Sequence, residues 1–230
     1  MKKFMIAAMT IFLIFSCGVK EEGAAVEKTT ETKEVSAPEK ETLKKEKVPE
    51  SEKVTVDGIE VTIENKRIKV GDKLEDAELI APVNEFNKMK KVRLSDDKGI
   101  KLIYTAPSLD TPVCSLQTKM LDEKAKEHAD VFFYSITDDL PFAMMRFCSD
   151  NGIANLKTLS DFQTHEFSAK NGFLMKEYQL LTRAVIIVDE DNIVRYVDYG
   201  KEVTDQLDLG KAIDFLEKKM LEEVLGHSLY

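Results

Sequence analysis

The stretch from Gly99 to Ile136 most constrains the fold. Gly99-Ile-Lys-Leu-Ile-Tyr104 and Val131-Phe-Phe-Tyr-Ser-Ile136 read as strands, the second nearly continuous in apolar residues. Between them, Pro112 to about Glu127 places Leu116, Met120, Leu121 and Ala125 at roughly helical spacing. Strand, helix and strand in close succession make a crossover unit, which pairs the two strands in parallel.

The flanks extend the pattern. Val54-Thr-Val-Asp57-Gly58-Ile-Glu-Val-Thr-Ile63 alternates on both sides of Asp-Gly, the signature of a tight β-hairpin. Arg183 to Val188 and Ile193 to Val197 enclose Asp189-Glu-Asp-Asn192 as a second hairpin, and Leu209, Ala212, Ile213, Leu216 and Met220 line one face of a closing helix. The order matches an α/β thioredoxin-like fold: an N-terminal β-hairpin and a central mixed sheet flanked by helices.

Residues 1–16 read as a signal peptide. Lys2 and Lys3 precede an apolar run, Phe4 to Phe15, too short to span a bilayer core that needs about 20 residues. Ile14-Phe15-Ser16-Cys17 resembles the bacterial lipobox, in which the cysteine is lipidated, so Cys17 is the expected lipidation site. Residues 17–53 hold Lys and Glu among Thr, Ser, Ala and two prolines, Pro38 and Pro49, with no aromatic residue. Such a segment buries too little apolar surface to order itself and is expected to be a disordered tether. The expected domain is then 54–230, on an exported, bacterial membrane-anchored lipoprotein at the periplasmic side or cell surface.

Composition excludes several classes of function. Lys+Arg 33 against Asp+Glu 42 gives a net charge of −9, which argues against nucleic acid as a partner. Cys 3 and His 3 are too few for a zinc-rich or disulfide-dense scaffold. His128, His165 and His227 show no ligand spacing, so no metal and no cofactor is assigned.

Chemistry concentrates in Pro107-Ser-Leu-Asp-Thr111-Pro112-Val113-Cys114. Thr111 is a favoured N-cap type and Pro112 suits the first helical position. Cys114 then falls in the first turn, where unpaired N–H groups and the helix dipole favour thiolate. The Thr111 hydroxyl would lie beside the sulfur, able to cap the helix or to donate towards it. The plainer alternative makes Cys114 a small buried hydrophobe. Ser-Leu-Gln follows it, so there is no C-x-x-C, and thioredoxin-style disulfide exchange is not expected.

Pro107-x-x-x-Thr111-x-x-Cys114 resembles the peroxiredoxin active-site motif, and its surroundings look like the thiol peroxidase subgroup. Asp139-Leu-Pro-Phe-Ala-Met-Met-Arg-Phe-Cys148 is similar to the subgroup's helix with the resolving cysteine, and Leu181-Thr-Arg183-Ala-Val-Ile-Ile-Val-Asp189 to its strand with the active-site arginine. The likeness covers about residues 54–220.

The resemblance implies that Cys114 attacks peroxide and becomes sulfenic acid. Arg183 would stabilise the developing charge, Thr111 would orient the peroxide, and Pro107 would shield the sulfenate. Cys148 would resolve it as an intramolecular Cys114–Cys148 disulfide. A hydroperoxide substrate, a thioredoxin-like thiol reductant and a homodimer are implied partners, in antioxidant defence. Read singly, Arg183 could be an edge-strand charge facing water, and Cys148 could be inert. The competing reading is a non-catalytic surface lipoprotein of the same fold, stapled by a structural Cys114–Cys148 disulfide.

Overall fold

A computed structural model describes residues 53–227, with side chains as far as residue 219. The expected signal peptide, the lipidation site Cys17 and the tether, apart from Lys53, lie outside the described residues.

The chain opens with the hairpin β1 (Val54–Val56) and β2 (Ile59–Val61), in which Val54 pairs with Val61 and Val56 with Ile59. Asp57 and Gly58 both have positive φ, 52° and 76°, as a two-residue type I′ turn requires. Two short strands follow, β3 (Leu79–Ile80) and β4 (Lys91–Val92). Then comes the crossover unit: β5 (Lys101–Thr105), α1 (Pro112–Glu127) and β6 (Phe132–Thr137). The observed helix has the expected bounds; β5 starts two residues and β6 one residue later than the apolar pattern, and both end one residue further on. Their ends are polar yet buried, because Thr105 donates to the Thr182 carbonyl at 2.9 Å and Thr137 to Asp139 Oδ2 at 2.8 Å.

α2 (Pro141–Asn151) starts on a proline and ends at Gly152, whose φ of 66° closes the helix in the left-handed conformation. β7 (Lys157–Ser160), α3 (Glu166–Lys170), and the pair β8 (Leu174–Met175) and β9 (Leu180–Leu181) follow. The second expected hairpin is β10 (Ala184–Val188) with β11 (Val194–Tyr199), and α4 (Leu209–His227) closes the chain.

Seven strands form the central sheet in the order β11-β10-β5-β6-β7-β3-β4. β5, β6 and β7 are parallel, whereas β10, β11, β3 and β4 join antiparallel, so the sheet is mixed as expected. Every residue of β5 and β10 is buried, which explains the apolar runs 102–104 and Ala184–Val188. One face packs Ile103, Tyr134, Ile136 and Ile186 against Phe167 and Phe173. The other packs Leu102, Tyr104, Phe133, Val185 and Ile187 against α1 and α4 through Leu121, Ala125, Ile213 and Leu216. Cys114 belongs to this second core, at the carboxyl end of the parallel strands where α1 begins.

Candidate active site

The turn between β5 and α1 is braced from below. Asp139, just past β6, accepts from the Ser108 hydroxyl and from the Leu109 amide, both at 2.6 Å. Pro107 is buried in this turn. Thr111 takes the extended N-cap conformation, φ −98° and ψ 144°, and Pro112 opens the helix. Cys114 is therefore the third helical residue, and its side chain is 0% exposed.

Thr111 makes no side-chain cap. Its Oγ1 lies 2.8 Å from Cys114 Sγ and 2.9 Å from the Ser108 carbonyl oxygen. One hydroxyl proton serves both positions in turn. With a thiol, Sγ–H donates to Oγ1 while the hydroxyl donates to Ser108; with a thiolate, the hydroxyl turns and donates to sulfur. Of the two roles open to this side chain, the structure selects the one at the sulfur.

Arg183 stands just before β10 and is 2% exposed. This burial excludes the alternative of an edge-strand charge facing water. Its Nε and Nη2 donate to the Val203 carbonyl at 3.2 and 2.8 Å, Nη1 donates to the Tyr104 hydroxyl, and Nη2 donates to Cys114 Sγ at 3.2 Å. Among the described residues no carboxylate pairs with this guanidinium, although a buried charge calls for a partner. The group within its reach that can carry a balancing charge is Cys114 Sγ, and the same N–H groups suit charge developing on an oxygen beside the sulfur.

Tyr104 and Gln117 complete the arrangement, and the sequence reading passed over both. The Tyr104 hydroxyl donates to Gln117 Oε1 at 3.2 Å, and Gln117 Nε2 donates to the Leu207 carbonyl at 2.7 Å. Burial pushes the phenol above the usual tyrosine range, so it stays a neutral donor. The available signal was a buried-face Gln at the third position after Cys114; Tyr104 looked like one more apolar strand residue.

Cys148 lies on α2, and both cysteines are free. Its Sγ is 3.2 Å from Thr158 Oγ1 on β7, and burial pushes the thiol above its usual range. It also lines a cavity of about 550 Å³ with Tyr134, Met145, Lys157 and Thr158, open to a small reactant. The structure thus gathers Thr111, Cys114 and Arg183, and keeps Cys148 apart on the next helix.

A thioredoxin-like sheet with a buried cysteine at a helix start, faced by an arginine and a threonine hydroxyl, defines a thiol-based redox enzyme. The sequence pattern of the Redoxin family matches residues 69–213. The chain is 41% identical over 152 residues to a thiol peroxidase of Clostridium acetobutylicum, covering 66% of this chain and 90% of that protein. It is 37% identical over 162 residues to a thiol peroxidase of Bacillus subtilis, covering 70% and 94%. A peroxiredoxin-like protein from Aquifex aeolicus superposes with a TM-score of 0.66 at 29% identity, over 72% of this chain and 96% of that one. The chain belongs to the redoxin family, among the peroxiredoxins of the thiol peroxidase type.

Proposed function

We propose that the protein is a thiol-dependent peroxidase that reduces hydrogen peroxide and organic hydroperoxides in antioxidant defence. The observation that carries this reading is the buried Arg183 guanidinium aimed at Cys114 Sγ with no carboxylate partner among the described residues. The Cys114 thiolate attacks one peroxide oxygen, the O–O bond breaks, and the other oxygen leaves as alcohol or water after taking a proton. Arg183 holds the charge on the departing oxygen, and Thr111 donates to sulfur or peroxide. Cys148 then attacks the sulfenic acid, releasing water and leaving a Cys114–Cys148 disulfide. A thioredoxin-type dithiol returns both cysteines to thiols by exchange. Pro107, buried beside this turn, shields the sulfenate.

The free state of both cysteines and the separate partners of each sulfur favour this cycle over a permanent staple. Steady-state peroxide consumption with a dithiol reductant tests it. Activity abolished by Cys114→Ser supports the proposal; a peroxide loss that is indifferent to Cys114 overturns it.

The Lys2-Lys3 and Ile14-Phe15-Ser16-Cys17 pattern supports export and lipidation at Cys17, with 18–53 as a tether to the membrane. Labelled palmitate incorporated in the bacterial host, and lost in Cys17→Ser, is the result expected. A homodimer is the assembly the family resemblance implies, and sedimentation equilibrium reads it directly.

A further inference from the structure

Outside the peroxidatic site, one cluster has a charge imbalance that the fold leaves unexplained. Asp138 at the end of β6, Asp161 after β7 and His165 before α3 bring one ligand atom each within 4.8 Å of one another. The Asp138 side chain is 3% exposed, and its Oδ1 lies 3.1 Å from His165 Nδ1. Its Oδ2 is buried with no hydrogen-bond partner. Asp138 Oδ1 can share a proton with His165 Nδ1 in either protonation state, but Oδ2 is left without a donor. Either form carries the penalty of an unsatisfied buried polar atom.

Asp161 is 1% exposed and accepts from the backbone amides of Phe167 at 3.2 Å and Ser168 at 2.8 Å. These bonds cap the first turn of α3 and fix the plane of the Asp161 carboxyl group. Among the described residues no lysine or arginine pairs with Asp138 or Asp161, so two buried carboxylates share one imidazole.

We propose that Asp138, Asp161 and His165 form a binding site for a divalent first-row transition cation of the Zn2+ class. Two carboxylate oxygens and one imidazole nitrogen suit such an ion; Mg2+ and Ca2+ favour all-oxygen shells. The 3.1 Å between Oδ1 and Nδ1 matches two ligands sharing one ion through bonds of about 2.0–2.2 Å. His165, 25% exposed at the side chain, gives the ion a path from solvent, and water completes the shell. Cation binding replaces the hydrogen bond between Asp138 Oδ1 and His165 Nδ1 with bonds from both atoms to the ion. The site is independent of the peroxidase reading and needs neither cysteine.

The test uses the full chain with Cys17, Cys114 and Cys148 all changed to Ser, so that thiols cannot hold the metal. Calorimetric titration with Zn2+ is expected to show one ion per chain, and Co2+ to give visible bands without thiolate charge transfer. His165→Ala and Asp138→Asn, checked for folding by circular dichroism, should each weaken binding by more than about tenfold. Glu166→Gln, on a half-exposed neighbour paired with Lys170, should leave binding unchanged. No heat of binding in the parent, or binding that survives His165→Ala at full strength, overturns the proposal.

Discussion

Tyr104 and Thr158 stand in one cross-strand row, joined through Ser135, with their side chains on the same face of the sheet. Tyr104 shares Arg183 with Cys114, and Thr158 holds Cys148. The two sulfurs are thus tied to strands two places apart, roughly 10 Å at the spacing of neighbouring strands. A disulfide needs Cα atoms within about 7 Å, so the Cys148 end of α2 must leave Thr158 during turnover. Hydrogen exchange should show residues 141–151 less protected in the oxidised protein than in the reduced one. Equal protection in both states would contradict a moving helix.

Arg183 acts through geometry as well as charge. Arg183→Met should slow the reaction of Cys114 with peroxide by about 100–1,000-fold, the usual loss for one charge-stabilising donor. Arg183→Lys keeps the charge but cannot reach Val203, Tyr104 and the sulfur together, so it should recover only part of the rate. Stopped-flow oxidation rates measure both.

Tyr104 pins the guanidinium and hands its own proton to Gln117. Tyr104→Phe strips both of a partner and should destabilise the protein by about 1.5–3 kcal/mol. It should also slow peroxide reduction more than alkylation of Cys114 by neutral iodoacetamide, since alkylation develops no charge on oxygen. Urea unfolding and the two rates distinguish a positioning role from general loosening, which would change both rates alike.

The Cys148 thiol keeps its proton to higher pH than an ordinary cysteine, because burial disfavours its thiolate. In a reduced Cys114→Ser variant, alkylation of Cys148 should therefore rise only at pH values above the ordinary cysteine range. The Thr158 hydrogen bond lowers the thiol's pKa, so Thr158→Val should shift that rise higher still. A rise at or below the ordinary range would mean that Cys148 is exposed in solution.

How much was legible in the sequence follows from which contacts are local. α1 and both hairpins could be read because a proline at the helix start, the Asp57-Gly58 turn, the polar Asp189-Glu-Asp-Asn192 turn and the apolar periods act within a few residues. β7 could not: Thr158 and Ser160 are polar, and their burial is met by partners on other elements, as when Ser160 donates to the Asp139 carbonyl. Thr111 and Cys114 share one turn, so their contact was readable. Arg183, by contrast, meets Cys114 across 69 residues, and only a known motif pointed to it. Tyr104 and Gln117 have no such motif, and His165 reaches Asp138 across 27 residues, so spacing rules found neither arrangement.

The central claim is that Cys114 and Cys148 together consume one peroxide. The direct measurement adds one equivalent of hydroperoxide to the fully reduced protein and reads intact mass and free thiols within seconds. The account predicts the loss of two hydrogens and of both these thiols, abolished by Cys114→Ser, with oxygen retained on Cys114 in Cys148→Ser. An unchanged mass and thiol count after peroxide would contradict it.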